Sequence, residues 1–94
     1  MLLALTLSYR ALSYQAGVDP HAADRIGRLE LTTRGLKRRN KFVYQLAKER
    51  GARLVVTLGG GYPKDLEPAS QPFHQVVQAH LDAYRQCVSA HAKL

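Results

Sequence analysis

Two short apolar runs and two amphipathic stretches alternate along the chain. The first run, Ala11 to Ala16, ends at Gly17, and the second run, Arg53 to Leu58, ends in three consecutive glycines. Short apolar runs bounded by glycine are typical of buried β-strands. After each run, apolar residues recur at steps of three and four, which is the spacing of an amphipathic helix. The pattern therefore predicts the order strand, helix, strand, helix.

The first helix is predicted to begin at Leu31, with the hydroxyl of Thr32 or Thr33 as its N-cap, and to end at Gly51. Its core stripe is Leu36, Val43, Leu46 and Ala47. Ser70 can cap the second helix, and Pro72 is tolerated in its first turn. The apolar residues of this second helix are Phe73, Val77, Leu81, Tyr84 and Val88. We expect these five to form the face that packs on the sheet.

This order of elements predicts one right-handed βαβ crossover followed by a closing helix. Parallel strands need neighbours and cover on both faces, so two strands leave an open edge. Ordering a residue costs on the order of 1.5 kcal/mol, and a domain of this size is already near balance. We therefore expect a marginally stable chain that aggregates or forms oligomers when it is made alone.

Residues that can carry chemistry follow each predicted strand. Asp19 lies in a turn made by Gly17 and Pro20, and Tyr62 follows the loop of Gly59, Gly60 and Gly61. Side chains just past the carboxyl end of parallel strands face the crevice where ligands bind. Three glycines allow the backbone to approach a ligand or another backbone closely, and the loop lacks the Lys-Ser/Thr end of a phosphate-binding loop. The sequence therefore predicts a site at this edge, with Asp19 and Tyr62 side by side.

These segments resemble the C-terminal part of the zinc-dependent histone deacetylase family, which includes bacterial deacetylases of small acetylated amines. The first matching segment runs from Gln15 to Asp19 and continues as Asp24-Arg25-Ile26-Gly27 with Leu31-Thr32 behind it. The second is Leu58-Gly59-Gly60-Gly61-Tyr62, at the expected distance downstream. The resemblance covers roughly Tyr14 to the end and corresponds to about the last quarter of a full catalytic domain. It implies an α/β fold, in which this βαβ-α unit is a fragment of a three-layer α/β/α deacetylase-type (arginase-like) domain with a mainly parallel sheet.

The resemblance also implies roles for individual residues. Asp19 matches a ligand of the catalytic zinc, and Tyr62 matches the tyrosine that donates a hydrogen bond to the acetyl carbonyl and to the oxyanion. In the family, the other two zinc ligands form an Asp-x-His motif upstream, and a pair of adjacent histidines upstream transfers protons. This sequence has no counterpart of either upstream pair. A catalytic zinc needs three protein ligands, so we expect Zn²⁺ only in the complete domain and an inactive chain on its own. The implied substrates are acetylated lysine or small acetylated amines, and the implied partners are the remaining N-terminal deacetylase part or a second copy.

Asp19-Pro20-His21 also spells Asp-x-His, which would supply a second ligand. We do not assign His21 this role, because the resemblance places Asp19 at the family's separate second aspartate and Pro20 takes the chain out of the strand. His21 is expected to be an exposed loop imidazole. His80 is expected to be a packing histidine, and Cys87 a small buried residue.

Composition and charge add a second hypothesis. The chain has 94 residues, 46% of them apolar, and a formal net charge of +7. Eight basic residues lie between Arg34 and Arg53, against Glu49 alone. We take this basic face for a solvated outer surface. The alternative is a small basic binding protein that uses the helix of residues 33–50 on nucleic acid or on another acidic partner.

The remaining expectations concern location and the first residues. One cysteine, Cys87, excludes an internal disulfide and fits a reducing compartment, so we expect the cytoplasm. No window approaches the ~18 apolar residues of a membrane span. Residues 1–10 match nothing in the family, and one hypothesis is that a displaced start codon or reading frame replaced the family sequence there. Residues 11–94 are predicted to form the deacetylase-like portion.

Overall fold

The structure is a computed structural model, and it describes residues 11–27 and 29–91. The elements follow the predicted order: β1 (Ala11–Ala16), α1 (Thr33–Glu49), β2 (Arg53–Leu58) and α2 (Gln71–His91). The two strands are parallel and run in register, with Ala11 opposite Arg53 and Ala16 opposite Leu58. This confirms the α/β class and the βαβ-α order. The prediction for residues 1–10 lies outside the described residues.

A threonine hydroxyl caps the start of α1, and a glycine ends the helix. The Thr32 hydroxyl accepts a hydrogen bond from the backbone N–H of Gly35 at 3.0 Å, so Thr32 rather than Thr33 is the N-cap. Gly51 ends the helix with a φ of 59°, a left-handed conformation that favours glycine. At the start of α2, the Ser70 hydroxyl accepts from the N–H of Phe73 at 3.3 Å, which confirms the predicted cap.

Both helices cover the same face of the sheet. Leu12, Tyr14 and Ala16 of β1 are buried against side chains from α1 and α2. The alternate residues of β1 are exposed, as period-two alternation requires. The part of the chain that the structure describes is therefore two layers thick, and within it no element covers the other face of the sheet.

Hydrogen bonds hold α1 against α2 and against β1. The Tyr44 hydroxyl donates to the backbone carbonyl of Ala83 at 2.6 Å, and the Tyr14 hydroxyl donates to Asn40 Oδ1 at 2.5 Å. Burial raises the pKa of both phenols, so both remain protonated donors. The predicted core stripe of α1 is confirmed at Leu36, Val43 and Ala47, while Leu46 is half-buried.

The face that α2 packs inward differs from the prediction. The buried residues are Val76, Ala79, Asp82 and Ala83, whereas Val77, Leu81, Tyr84 and Val88 are exposed. The prediction was wrong because it followed the largest apolar side chains. Small alanines face inward instead, and they let the helix approach the sheet and α1 closely.

Between residues 11 and 27 and between 29 and 91, no helix is long and apolar enough to cross a membrane.

Candidate functional site

The carboxyl ends of β1 and β2 meet at one edge of the sheet. Because Ala16 is opposite Leu58, Gly17 and Gly59 leave the two strands side by side. A Cβ at Gly59 would lie 2.5 Å from the Cα of Gly17, which is closer than side-chain carbons approach backbone atoms. The N–H of Val18 then donates to the carbonyl of Gly60 at 2.7 Å. The glycine loop is thus bound directly to the turn that follows β1.

Asp19 and Tyr62 converge on Gly60. A Cβ at Gly60 would lie 3.6 Å from Cβ and Cγ of Asp19 and 3.1 Å from Cε2 of Tyr62. Asp19 is exposed, and Tyr62 is 44% exposed. The two side chains singled out from the sequence are therefore near neighbours on an open surface. The absence of a Cβ at Gly60 leaves the space between them free.

A second carboxylate, Asp24, holds this arrangement together. Its Oδ1 accepts from the N–H groups of Ile26 at 2.8 Å and Gly27 at 2.7 Å, and its Oδ2 accepts from the N–H of Tyr62 at 2.5 Å. Burial alone would raise the pKa of Asp24, but these three donors and the charge of Arg25 outweigh it, so the pKa is lowered. Asp24 therefore remains charged and joins the loop after β1 to the loop after β2.

Further backbone bonds complete the junction. The N–H of Arg25 donates to the carbonyl of Tyr62 at 2.7 Å, and the N–H of Lys64 donates to the carbonyl of Ala23 at 2.8 Å. Gly27 packs directly against the carbonyl oxygen of Asp19, where a Cβ would overlap that atom. The segment from Asp24 to Gly27 thus positions both Asp19 and Tyr62. The resemblance included Asp24 in its motif, but no sequence pattern assigned it this positioning role.

His21 does not lie where the sequence indicated. It is buried, with 4% of its surface exposed, so the prediction of an exposed loop imidazole was wrong. Its Nδ1 accepts from the N–H of Ala23 at 2.9 Å, and its Nε2 lies 2.9 Å from the Thr33 hydroxyl. Burial lowers the pKa of His21, so the ring is neutral and Nε2 carries the proton. Both ring nitrogens are used within the fold.

His80 lies beneath the glycine loop. A Cβ at Gly61 would come within 2.7 Å of His80 Nε2 and 2.8 Å of Val18 Cγ2, so only a glycine fits between α2 and this loop. The imidazole is half-buried, and burial lowers its pKa. This agrees with the predicted packing role of His80, and it shows how α2 supports the loop that carries Tyr62.

Comparison with known proteins decides the family. The sequence-family model of the histone deacetylase domain matches residues 8–83, which is most of the chain. The chain belongs to the histone deacetylase family. An uncharacterized protein of Picosynechococcus sp. is 37% identical to it over 67 residues. That alignment covers 71% of this chain and 20% of the relative, so the chain matches about one fifth of the relative's length. No solved structure gave a significant match.

Deacetylases of this family are generally zinc-dependent, but the described residues of this family member do not form a zinc site. Between residues 11 and 27 and between 29 and 91, no three His, Cys, Asp or Glu side chains come together as a metal-binding group. The exposed carboxylate of Asp19 is available to a metal ion. Asp24 instead accepts three backbone N–H groups, and His21 uses both of its ring nitrogens within the fold. One carboxylate cannot replace three protein ligands.

The outer side of α1 carries a group of exposed basic residues in this deacetylase-family chain. The exposed cations within α1 are Arg34, Lys37, Arg38, Lys41 and Lys48. Arg39 differs from them, because it is buried and its guanidinium carbon lies 5.4 Å from the centroid of the Tyr14 ring. The family match concerns a deacetylase domain, and none of the described contacts favours the alternative of a nucleic-acid or acidic-partner binding module.

Proposed function

We propose that this chain supplies one part of a deacetylase centre that hydrolyses acetylated lysine or small acetylated amines. Asp19 is one ligand of the catalytic zinc, and Tyr62 stabilises the oxyanion. One observation carries the proposal: in a chain of the histone deacetylase family, an exposed carboxylate and an exposed phenol flank the same glycine, Gly60.

Tyr62 is suited to donating a hydrogen bond to the substrate. Its backbone N–H donates to Asp24 and its backbone carbonyl accepts from the N–H of Arg25, so both backbone polar groups of Tyr62 are held in place. The ring itself remains accessible. A donor that is held in place before the reaction stabilises developing charge without reorganisation, and its loss typically costs about 10²- to 10³-fold in rate.

Asp19 supplies a single carboxylate, so the other ligands come from segments outside this chain's described residues. Zinc bound by the complete set would act as a Lewis acid toward the amide carbonyl. We propose that the chain alone retains no zinc and has no deacetylase activity. What completes it is the remaining part of a deacetylase domain, since this chain matches 20% of the relative's length. The free thiol of Cys87, the one cysteine of the sequence, supports a cytoplasmic location.

The proposal can be tested with a matched pair of polypeptides. The purified chain is mixed with the Picosynechococcus relative from which the matching 67-residue segment has been deleted, and release of acetate from acetyl-lysine peptides and from acetylated small amines is measured. We expect activity only in the mixture. Tyr62→Phe should lower the rate about 10²- to 10³-fold, because it removes the oxyanion donor.

Asp19→Asn should abolish activity, because it removes the charged ligand. Its control is Glu49→Gln, which neutralises an exposed carboxylate at the opposite end of the sheet and should leave the rate unchanged. Equal rates for the wild-type, Tyr62→Phe and Asp19→Asn mixtures would refute the proposed roles.

A further inference from the structure

One flank of α2 carries large apolar side chains that face solvent. Val77, Leu81, Tyr84 and Val88 are 43%, 41%, 36% and 69% exposed. We call these four residues the outer stripe. They follow one another at steps of four, three and four, so they form one continuous strip along the helix. A strip of this kind on a small domain marks a surface that is normally covered.

The contacts of α2 show which way the outer stripe faces. On its opposite flank, Gln86 donates to the carbonyl of Lys37 at 2.9 Å and accepts from Asn40 at 2.9 Å, and Asp82 lies 3.9 Å from Lys37 Nζ. At 100° per residue, the outer stripe lies roughly 150° around the helix from Asp82 and Gln86. The stripe therefore faces away from α1, toward the next position in the layer of helices.

The sheet beneath the helices is also incomplete among the described residues. It consists of β1 and β2 alone, so each strand has one unpaired edge. Parallel sheets of two strands are rarely stable by themselves, because both faces and both edges need partners. An element that continues the helix layer past α2 would contact the outer stripe, and a strand that continues the sheet would pair with a free edge.

We infer that the outer stripe is the surface on which the remainder of a deacetylase-family domain docks. This inference rests on the proposed function, and it names the surface where the completing polypeptide binds. The length of the relative supports it, since this chain matches only 20% of that protein. The rest of such a domain can extend the helix layer, extend the sheet and approach Asp19 at the same time.

A second copy of this chain fits the outer stripe less well. Each copy carries a formal charge of +7, so two copies repel one another. A pair joined through α2 would still lack partners for the free sheet edges and ligands to accompany Asp19. The remainder of the domain meets all three requirements, whereas a second copy meets one.

The inference is tested by measuring how tightly this chain binds the Picosynechococcus relative that lacks its matching 67-residue segment. Isothermal titration calorimetry gives the affinity. We expect Val77→Ser combined with Leu81→Ser to weaken binding about 10- to 100-fold, because large apolar anchors carry much of the affinity of an interface. Both residues face solvent, so circular dichroism of the variant should match that of the wild type. Phe42→Ser is the matched control, because Phe42 is a 59% exposed apolar residue on α1, and it should leave the affinity unchanged.

The outcomes separate the docking surface from the chemistry. Stripe-dependent binding without acetate release supports the docking surface and refutes the proposed function. Acetate release that is unaffected by the stripe variant refutes the docking surface and leaves the function standing. Absence of binding, or a stripe-dependent dimer of the chain in sedimentation velocity without binding to the relative, also overturns the inference.

Discussion

Asp24 shows how one buried carboxylate can position two exposed residues. It accepts backbone N–H groups on both sides of the junction, from Ile26 and Gly27 in one loop and from Tyr62 in the other. Hydrogen bonds to a charged acceptor are stronger than bonds between neutral groups, and the low pKa of Asp24 keeps that charge. Asp24 is therefore a positioning residue for Asp19 and Tyr62.

Asp24→Asn should destabilise the chain by about 2–4 kcal/mol, because the amide N–H₂ cannot accept the N–H bonds that one carboxylate oxygen now receives. Urea unfolding measures the free energy. Asp65→Asn is the control, since Asp65 is exposed and accepts one backbone N–H, from Glu67. Equal stability of the Asp24→Asn and Asp65→Asn variants would contradict the positioning role.

The low pKa of His80 predicts a dependence of stability on pH. Because burial lowers the folded-state pKa below 6.5, His80 contributes stability above pH 6.5, and this is lost as the pH falls through the folded-state pKa. The slope should be well below the limit of about 1.4 kcal/mol per pH unit for one proton, since His80 is only half-buried.

The measurement is urea unfolding between pH 7 and pH 5. His80→Gln should reduce the pH dependence to the part that His21 contributes, because burial also lowers the pKa of His21. His74→Gln, at an exposed site on the same helix, should leave the pH dependence unchanged. A slope that is identical in wild type and His80→Gln would show that His80 does not titrate with folding.

Asp19 and Tyr62 could be predicted as neighbours, because each follows a strand and parallel strands end at one edge. His21 could not be placed in the same way. Pro20 indicates a turn, and turns are usually exposed, but here the Ala23 N–H and the Thr33 hydroxyl bind both ring nitrogens and hold the imidazole inside. These partners depend on how the loop folds onto α1, which periodicity does not describe.

At the scale of elements, α1 contains a buried cation. Arg39 is 9% exposed, and its Nε and Nη2 have no hydrogen-bond partner in the described part of the chain. Arg39 is one of the eight basic residues between Arg34 and Arg53, but it does not share the exposed face of Arg38 and Lys41. The ring of Tyr14 stabilises the guanidinium only in part.

Arg39→Met should therefore raise the free energy of unfolding by about 1 kcal/mol, because an apolar side chain of similar length replaces a buried charge. Thermal and urea unfolding would measure the change. Arg38→Met, at an exposed position on the same helix, should alter stability by less than about 0.5 kcal/mol. If Arg39→Met were the less stable of the two, Arg39 would be contributing net stabilisation.

The two helices also differ in how well their buried faces could be predicted. In α1, Leu36, Val43 and Ala47 repeat at helical spacing and are buried as expected. In α2, the pattern contains two apolar strips, one of small residues around Ala79 and Ala83 and one of large residues from Val77 to Val88. Hydrophobicity favours the large strip, but the described contacts use the small one, so the sequence alone could not show which strip lies inside.

At the scale of the whole molecule, the described chain has two strands, one covered sheet face and an exposed apolar flank. The order of its elements and the edge that carries the site could be predicted, because both follow from strand ends and helix caps. The number of layers could not be predicted, since it depends on which segments are present to cover each face of the sheet. The prediction of a marginal or self-associating chain follows from the same shortage of buried surface.

The most direct measurement is the zinc content of the purified chain together with its acetate release from an acetylated amine. Our central claim is that this chain contributes one carboxylate, Asp19, and one phenol, Tyr62, to a centre that other segments complete. We predict less than stoichiometric zinc and no hydrolysis from the chain alone, and both zinc binding and hydrolysis after the remainder of a deacetylase domain is added. One zinc per chain with unaided hydrolysis would contradict the claim.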